Sequence, residues 1–355
     1  MDLRHRLRPA AAVLAALALS AGLAACGSSS SSSGAGSSGG SGSAAASPTT
    51  ATTTATVAGD TKANMPALVV GDQAGTGAQA LLQAAGLLHK LLFTVKFADF
   101  TSGPPILEAM SSGSVDIGGV GNAPPVFGAA GGEKIDVVGA RRNNPRSAAL
   151  LVPEGSSVTS PAQLKGKKIA VAQGSSADYH LLEVLTRAGL TPKDVQLVYL
   201  QPAQALAALS SGAVDAWDVW SPYIEQAVAQ QGAKVLVSGQ GYGGNYAYEV
   251  ASRSAVADPQ KANEITQYLA MLDKAYRWAN THPAAWATTW AAATGLPKSV
   301  MDTAARDATT VPVPVSSKTT ASEQTLADAF AKAGLIPKSY TFAPYSSDAF
   351  NSSVH

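Results

Sequence analysis

The run VKFADFTSGPPILEAMSSGSVDIGGVGNAPP, residues 95–125, carries strand and helix signals in strict alternation. Val95, Phe97 and Asp99 alternate with Lys96, Ala98 and Phe100, the period of a strand. Thr101 and Ser102 then offer N-cap oxygens, and Pro104 and Pro105 suit the first turn of a helix. Ile106, Leu107 and Met110 give that helix an apolar stripe, and Gly113 stands where it should stop. Val115-Asp116-Ile117 reads as a second buried strand. Gly118, Gly119 and Gly121 allow close backbone approach, and Asn122 with Pro124 opens the next helix. Each strand ends on small residues at a helix N-terminus, where unpaired N–H groups collect anions.

The pattern occurs twice. Ser111-Ser112-Gly113-Ser114-Val115-Asp116 matches Ser210-Ser211-Gly212-Ala213-Val214-Asp215, inside VQLVYLQPAQALAALSSGAVDAWDVWSPY at 195–223. The tails match as well, GAAGG at 128–132 against VAQQG at 228–232. Two copies of one βαβ unit predict an α/β protein of two similar lobes with a cleft between them.

Outside these runs the chain divides by composition. Arg4, Arg6 and Arg8 precede the apolar stretch Ala10–Ala21, too short to span a bilayer well, and Leu23-Ala24-Ala25-Cys26 forms a lipobox. Residues 1–26 are therefore expected to be a lipoprotein signal peptide, with Cys26 lipidated and the protein exported. It would be anchored at the outer face of the cytoplasmic membrane or held in the periplasm. Cys26 is the only cysteine of the 355 residues, so no intrachain disulfide is available. Residues 27–63, rich in Ser, Gly, Ala and Thr, are expected to be a flexible tether. Losing Asp2, Arg4, Arg6 and Arg8 with the leader turns a net charge of +1 into −1, which gives no electrostatic reason to bind nucleic acid.

In the folded part, Leu68–Gly71 reads as a buried strand, and the turn from Asp72 to Gly77 carries Gln73 toward the cleft. Its Gly-Thr-Gly lacks the third glycine of a nucleotide fingerprint and the lysine of a P-loop. Arg141, Arg142 and Arg146 follow the strand Ile135–Ala140, where they either serve an anionic ligand or form a solvated loop. Ser175 and Ser176 stand between the strand Lys168–Ala172 and a helix over 179–188. They either cap that helix or touch a ligand at the height of Ser102 and Gly103. Trp217 and Trp220 lie three apart at a strand end and point in different directions, so at least one is expected in the cleft wall. Asn245 and Tyr246 lie on an aromatic loop. Helices are expected over 259–280, 283–294 and 322–334.

From about Leu68 to Lys338 the chain resembles the aliphatic sulfonate-binding proteins of ABC importers, within the wider group of taurine- and nitrate-binding proteins. The resemblance rests on FTSGPPILEAMSSGSVDIGGVGNAPPVF, ALLVPEGSSVTSPAQLKGKKIAVAQGSSADYHLL, LVYLQPAQALAALSSGAVDAWDVWSPY, NYAYEVASR and AGLIPK. It implies a bilobal, type II periplasmic-binding-protein-like α/β fold. Two α/β lobes would be joined by two crossovers, with the ligand cleft between them. The expected bounds are 64–153 plus 253–355 for the first lobe and 154–252 for the second. The family's ligand-facing turns fall on Gln73, Ser102, Gly103, Asn122, Ser175, Ser176, Trp217 and Trp220, with Asn245 and Tyr246 at the cleft edge. Two departures, Asn122 where relatives usually carry an acid and Arg141-Arg142 where they are small and neutral, favour an anion.

The resemblance implies a small-molecule ligand, an organic sulfonate taken up for sulfur. It also implies an ABC permease with its ATPase as partners, and a monomeric chain tied to a membrane through Cys26. A sulfonate stays charged at ordinary pH and needs donors, which hydroxyls, amides and helix N-termini supply. Phe100, Trp217, Trp220 and Tyr246 are the expected wall for its organic part. Another small anion, or a neutral sulfur or nitrogen compound, is the alternative ligand. An enzyme is disfavoured: the desulfinase of this group uses a nucleophilic cysteine, and Cys26 lies outside the fold. His89, His180 and His282 sit in no catalytic motif, and no ligand spacing predicts a metal or cofactor.

Overall fold

The structure, a computed structural model, describes residues 52–55, 67–73 and 77–354. The leader, Cys26 and most of the 27–63 segment lie outside the described residues. The chain enters through β1 (Thr52–Ala55), β2 (Leu68–Gln73), α1 (Ala78–Ala84), β3 (Val95–Phe100), α2 (Gly103–Ser111), β4 (Ile117–Gly121), α3 (Ala123–Ala130) and β5 (Ile135–Asn143). It continues as β6 (Ala148–Val152), β7 (Lys168–Val171), α4 (Ser176–Arg187), β8 (Gln196–Tyr199), α5 (Pro202–Ser210), β9 (Ala216–Trp220), α6 (Tyr223–Gln231) and β10 (Lys234–Ser238). It then returns through β11 (Tyr246–Ser252), α7 (Arg253–Ala257), α8 (Pro259–Thr281), α9 (Pro283–Thr294), α10 (Lys298–Asp307), β12 (Thr310–Val313) and α11 (Ser317–Ala333). Among the described residues no helix is long and apolar enough to cross a membrane.

The strands form two sheets. One has the order β1-β3-β2-β4-β11-β5-β12 and the other β10-β6-β9-β7-β8. The repeat seen in the sequence is a repeat of hydrogen bonds. Asp116 and Asp215 stand just before the third strand of each unit. Asp116 Oδ2 accepts from the Val69 backbone N–H, and Asp215 Oδ2 from that of Lys168, both at 2.8 Å and both across 47 positions. Parallel pairing follows in the same register, Val70 with Ile117 and Ile169 with Ala216.

Sheet membership moves the expected lobe bounds. Ala148–Val152, assigned above to the first lobe, pairs with β10 and β9 in the second sheet. Tyr246–Ser252, assigned to the second, lies between β4 and β5 in the first. The chain therefore crosses at 144–147 and 239–245, because both strands are buried, apolar and able to serve either sheet. The crossovers pack together: Gly239 N–H donates to Ala148 O at 2.8 Å, and a Cβ on Gly239 would lie 2.4 Å from Pro145 O. The tether expectation is also corrected in part. Thr52–Ala55 pairs antiparallel with β3, where a Thr-rich segment covers an open strand edge. The last helix starts earlier than its apolar stripe suggests, because Ser316 and Thr319 form a capping box. Helix α10 and strand β12 had no clear sequence signal.

Each sheet is covered on both faces. α1, α8, α9 and α10 cover one face of the first sheet through Leu81, Ile265, Leu272, Trp286 and Met301. α2, α3 and α11 cover the other through Ile106, Leu107, Val126 and Phe330. In the second sheet α4 packs on one face and α5 and α6 on the other. Helix α2 seats on bare backbone. A Cβ on Gly71 or on Gly118 would each lie 2.7 Å from Ile106 Cγ2, and Gly118's would also lie 2.8 Å from Gly71 O. Gly118→Ala is therefore expected to lower stability by about 1–3 kcal/mol, the usual range for overpacking, read as a lower urea midpoint. An unchanged midpoint would show that α2 does not bear on the sheet.

Candidate functional site

A cavity of about 170 Å³ lies between the two sheets. Gln73, Gly103, Gly119, Gly121 and Tyr246 line it from the first lobe, Ser175, Ser176, Tyr179 and Trp220 from the second, and Asn245 from the second crossover. The lobes touch across its mouth through glycines. A Cβ on Gly121 would lie 2.8 Å from Ser176 Cβ, one on Gly174 3.3 Å from the Phe127 ring, and one on Gly244 2.5 Å from Asn122 Nδ2. Bare backbone at these points lets two helix-bearing lobes approach closely around the cavity.

Three helix N-termini lie at or beside it: Gly103, Ser175 and Ser176 line the cavity, whereas Ser102 and Asn122 are buried outside its lining. Ser102 is the N-cap of α2 and fully buried, yet its side chain caps nothing and its Oγ has no partner among the described residues. Pro104 and Pro105 occupy the first turn, so two backbone donors are missing and Gly103 with the Ser102 hydroxyl is what remains. Asn122 precedes α3 with Pro124 and Pro125 behind it; its Nδ2 donates to Gly244 O at 2.9 Å, and its buried Oδ1 has no partner. Ser175 caps α4, accepting from Asp178 N–H at 3.4 Å. Gln73 Nε2 donates to Gly119 O at 2.8 Å, fixing its amide at the cavity wall. Ser175 thus caps α4 and also lines the cavity.

The charges around the cavity are paired. Arg141 is an ion-pair partner of Glu249, which lies beside Gly119, and its guanidinium stands 5.5 Å from the Tyr276 ring centre. Burial pushes the Glu249 carboxyl up to about 7 even though Arg141 pulls it down. Asp72 accepts from the backbone N–H groups of Gln73, Ala78 and Gln79 at 3.0, 2.7 and 3.0 Å, closing the N-terminus of α1, and burial pushes it up to about 6. His180 Nδ1 lies 2.8 Å from Asp218 Oδ2, with both side chains buried. Burial opposes the imidazolium, but the Asp218 charge and hydrogen bond outweigh it, so His180 holds its proton above the ordinary histidine range. Among the described residues no group of three His, Cys, Asp and Glu side chains is placed to hold a metal.

Several expected site residues fall elsewhere. Trp217 is 1% exposed and packs with Leu151, Leu209 and Ile224 in the second-lobe core, while Trp220 lines the cavity and stands edge-on to Tyr223. Three steps along β9 put the two rings on opposite faces. Phe100 packs against the first-lobe core rather than the cavity. Arg141 does line the cavity, but as a neutralised partner of Glu249 rather than a free cation. Arg142 is exposed on β5, and Arg146 pairs with Asp307 at 3.5 Å. Asp72, His180, Glu249, Tyr276, Trp286 and Trp290 line the cavity without having been singled out. His180 and Glu249 lie in apolar runs whose period gives only the fold. The Asp72 position before a Gly-rich helix start was the one readable signal.

The model of the NMT1-like family matches residues 62–294. A protein of Escherichia coli (strain K12) named for binding aliphatic sulfonates is 33% identical over 288 residues, 80% of this chain and 89% of that one. Among solved structures, the alkanesulfonate-binding protein SsuA from Xanthomonas axonopodis pv. citri, bound to MOPS, matches with TM-score 0.74 and 32% identity, covering 80% of this chain and 99% of that one. The periplasmic aliphatic sulphonate binding protein SsuA from Escherichia coli matches with TM-score 0.69 and 31% identity, covering 79% and 91%.

The His180–Asp218 pair makes stability depend on pH. The folded-state pKa of His180 lies above the unfolded value of about 6.5. Its contribution is therefore complete below pH ~6.5 and lost as pH rises through the raised folded value. The stability gap between the native protein and His180→Gln, measured by urea unfolding, is expected to narrow over that window. A gap that widens with pH would mean that His180 is held neutral.

Proposed function

The chain belongs to the NMT1-like family, and we propose that it is the extracytoplasmic solute-binding protein of an ABC importer, capturing an organic sulfonate for delivery to a permease and its ATPase. The aliphatic-sulfonate-binding relatives, each matched over most of its length, support this reading and favour a binding protein over an enzyme. The observation that carries it is the cluster of Gly103, Ser175 and Ser176 lining the cavity at two helix N-termini, with the buried Ser102 hydroxyl unspent beside Gly103. A sulfonate has three acceptor oxygens and no proton to give. Hydroxyls and helix N–H groups satisfy it without a buried counter-ion and its desolvation cost. Trp220 and Tyr246 offer ring surface to the organic part. Export and attachment through Cys26 belong to the same proposal, since a tethered binding protein stays within reach of its permease.

A thermal-denaturation series with alkanesulfonates, sulfate and nitrate tests the reading on the full-length protein. An alkanesulfonate at a hundred times its Kd is expected to add about 2.7 kcal/mol of stability. Ser102→Ala is expected to weaken that binding by about tenfold, the loss of one hydrogen bond to a charged group. A series in which no sulfonate raises the midpoint would sink the proposal.

A further inference from the structure

The two crossovers stand between two cavities. Pro145, Ser147 and Gly239 line the ligand cavity, whereas their neighbours Arg146, Ser238 and Gln240 line a second one of about 420 Å³. That volume lies within the range of small-molecule sites. Helix α6 and strands β6 and β10 wall it from the second lobe, and α10, which packs on α6, walls it from the first. Ile224, Val228, Val235 and Val300 supply aliphatic surface, and no described residue of the lining is aromatic. Val228 and Val235 are 42% and 48% exposed, so this surface is open to a molecule from solution. One polar group stands out in the wall. Glu225 is 7% exposed. Its Oε1 accepts from the Ser221 hydroxyl at 2.8 Å, and its Oε2 is buried without a partner among the described residues. A buried carboxylate oxygen that lacks a donor is costly. The nearby guanidinium does not relieve it, since Arg146 pairs with Asp307 at 3.5 Å. All three line the cavity, which therefore carries two carboxylates against one cation.

We propose that this second cavity is an effector site for a small aliphatic ammonium compound, with its N–H donors on Glu225 Oε2 and its apolar body against Val228, Val235 and Val300. An ammonium supplies both the donor and the charge that the carboxylate lacks. A metal ion does not fit, because among the described residues no three His, Cys, Asp and Glu side chains gather to hold one. Burial raises the Glu225 carboxyl and Asp307 adds to that, against the Ser221 bond, and a bound cation reverses the shift. The site lies outside the cleft and does not depend on which anion the cleft holds. Its position gives it a role. With the crossovers between the two cavities, a rotation of the lobes that narrows the ligand cavity draws α6 and α10 apart on the other side. A body seated between those helices holds the cleft shut. Ser221 joins the two places: it lines the ligand cavity, while its hydroxyl holds Glu225 in the wall of the other. A molecule that binds the shut form better shifts the population toward it, and cleft ligand and effector then tighten each other's binding by the same factor.

Calorimetric titration of the full-length protein at pH 8 with hexylammonium and with hexan-1-ol tests the site. Hexylammonium is expected to bind about tenfold more tightly than the alcohol, and Glu225→Gln is expected to remove that preference. Intermolecular NOEs from the hexyl chain to the methyls of Val228, Val235 and Val300 are expected on the native protein, which fixes the location even if the variant does not fold. With propane-1-sulfonate in the cleft, hexylammonium is expected to bind about threefold more tightly. Equal binding of amine and alcohol overturns the site, as do NOEs to Trp286 and Trp290 of the ligand cavity in place of the valines. Unchanged or weaker hexylammonium binding once propane-1-sulfonate is bound overturns the coupling. If propane-1-sulfonate itself does not bind, the sulfonate reading falls, and the comparison of amine with alcohol still decides this site.

Discussion

The architecture depends on one hydrogen bond made twice. An aspartate at the foot of the third strand of each unit accepts the backbone N–H of the strand that starts it, across the same 47 positions. A carboxylate accepting from an amide is a strong bond with a strict geometry, so it ties the two strands into one register. In the first unit Lys261 adds its ammonium at 2.7 Å, tying α8 to the same carboxylate; in the second, Lys167 stands 3.7 Å away and more exposed. Once register is set, the strand ends and helix starts that face the cleft are set with it. The site is a consequence of that pin rather than an addition to the fold.

The site itself shows what different groups contribute. Helix N-termini attract anions, yet several here are already spent: Asp72 closes α1, and Asp178 takes the Gly174 N–H beside α4. Two helices begin with paired prolines, which remove further donors. What remains for a ligand in the wall is a small number of hydroxyl and backbone donors, with His180 Nε2 and Glu249 Oε2 buried and without a partner among the described residues. Recognition then comes from placement, with Asp72 spent on backbone and Arg141 paired with Glu249.

Much of this was legible in the sequence, for a physical reason. Strand and helix periods, N-cap hydroxyls and stop glycines are local signals, so the βαβ units and the turns at Ser102, Asn122 and Ser175 could be read directly. Sheet membership is not local. Ala148–Val152 has the same apolar run whichever sheet it joins, and only pairing with Val219 and Val235 decides. Charge pairing is not local either. Arg141 could be read only as serving an anion or lying in a solvated loop, because Glu249 lies 108 positions away on the neighbouring strand. Trp217 and Trp220 lay between these cases: their spacing guaranteed opposite faces, but not which face was the cleft.

The crossovers carry a mechanical consequence. Because Gly239 sits against Pro145 O, the two connections behave as one strip rather than two separated cords. Two lobes joined along one strip can fold about that line but resist twisting or sliding past each other. Opening is reduced to a single angle, and whatever docks on the outer surface of both lobes has only that angle to sense. A side chain at position 239 would push the strands of the strip apart and reset its resting angle, changing how often the protein is shut.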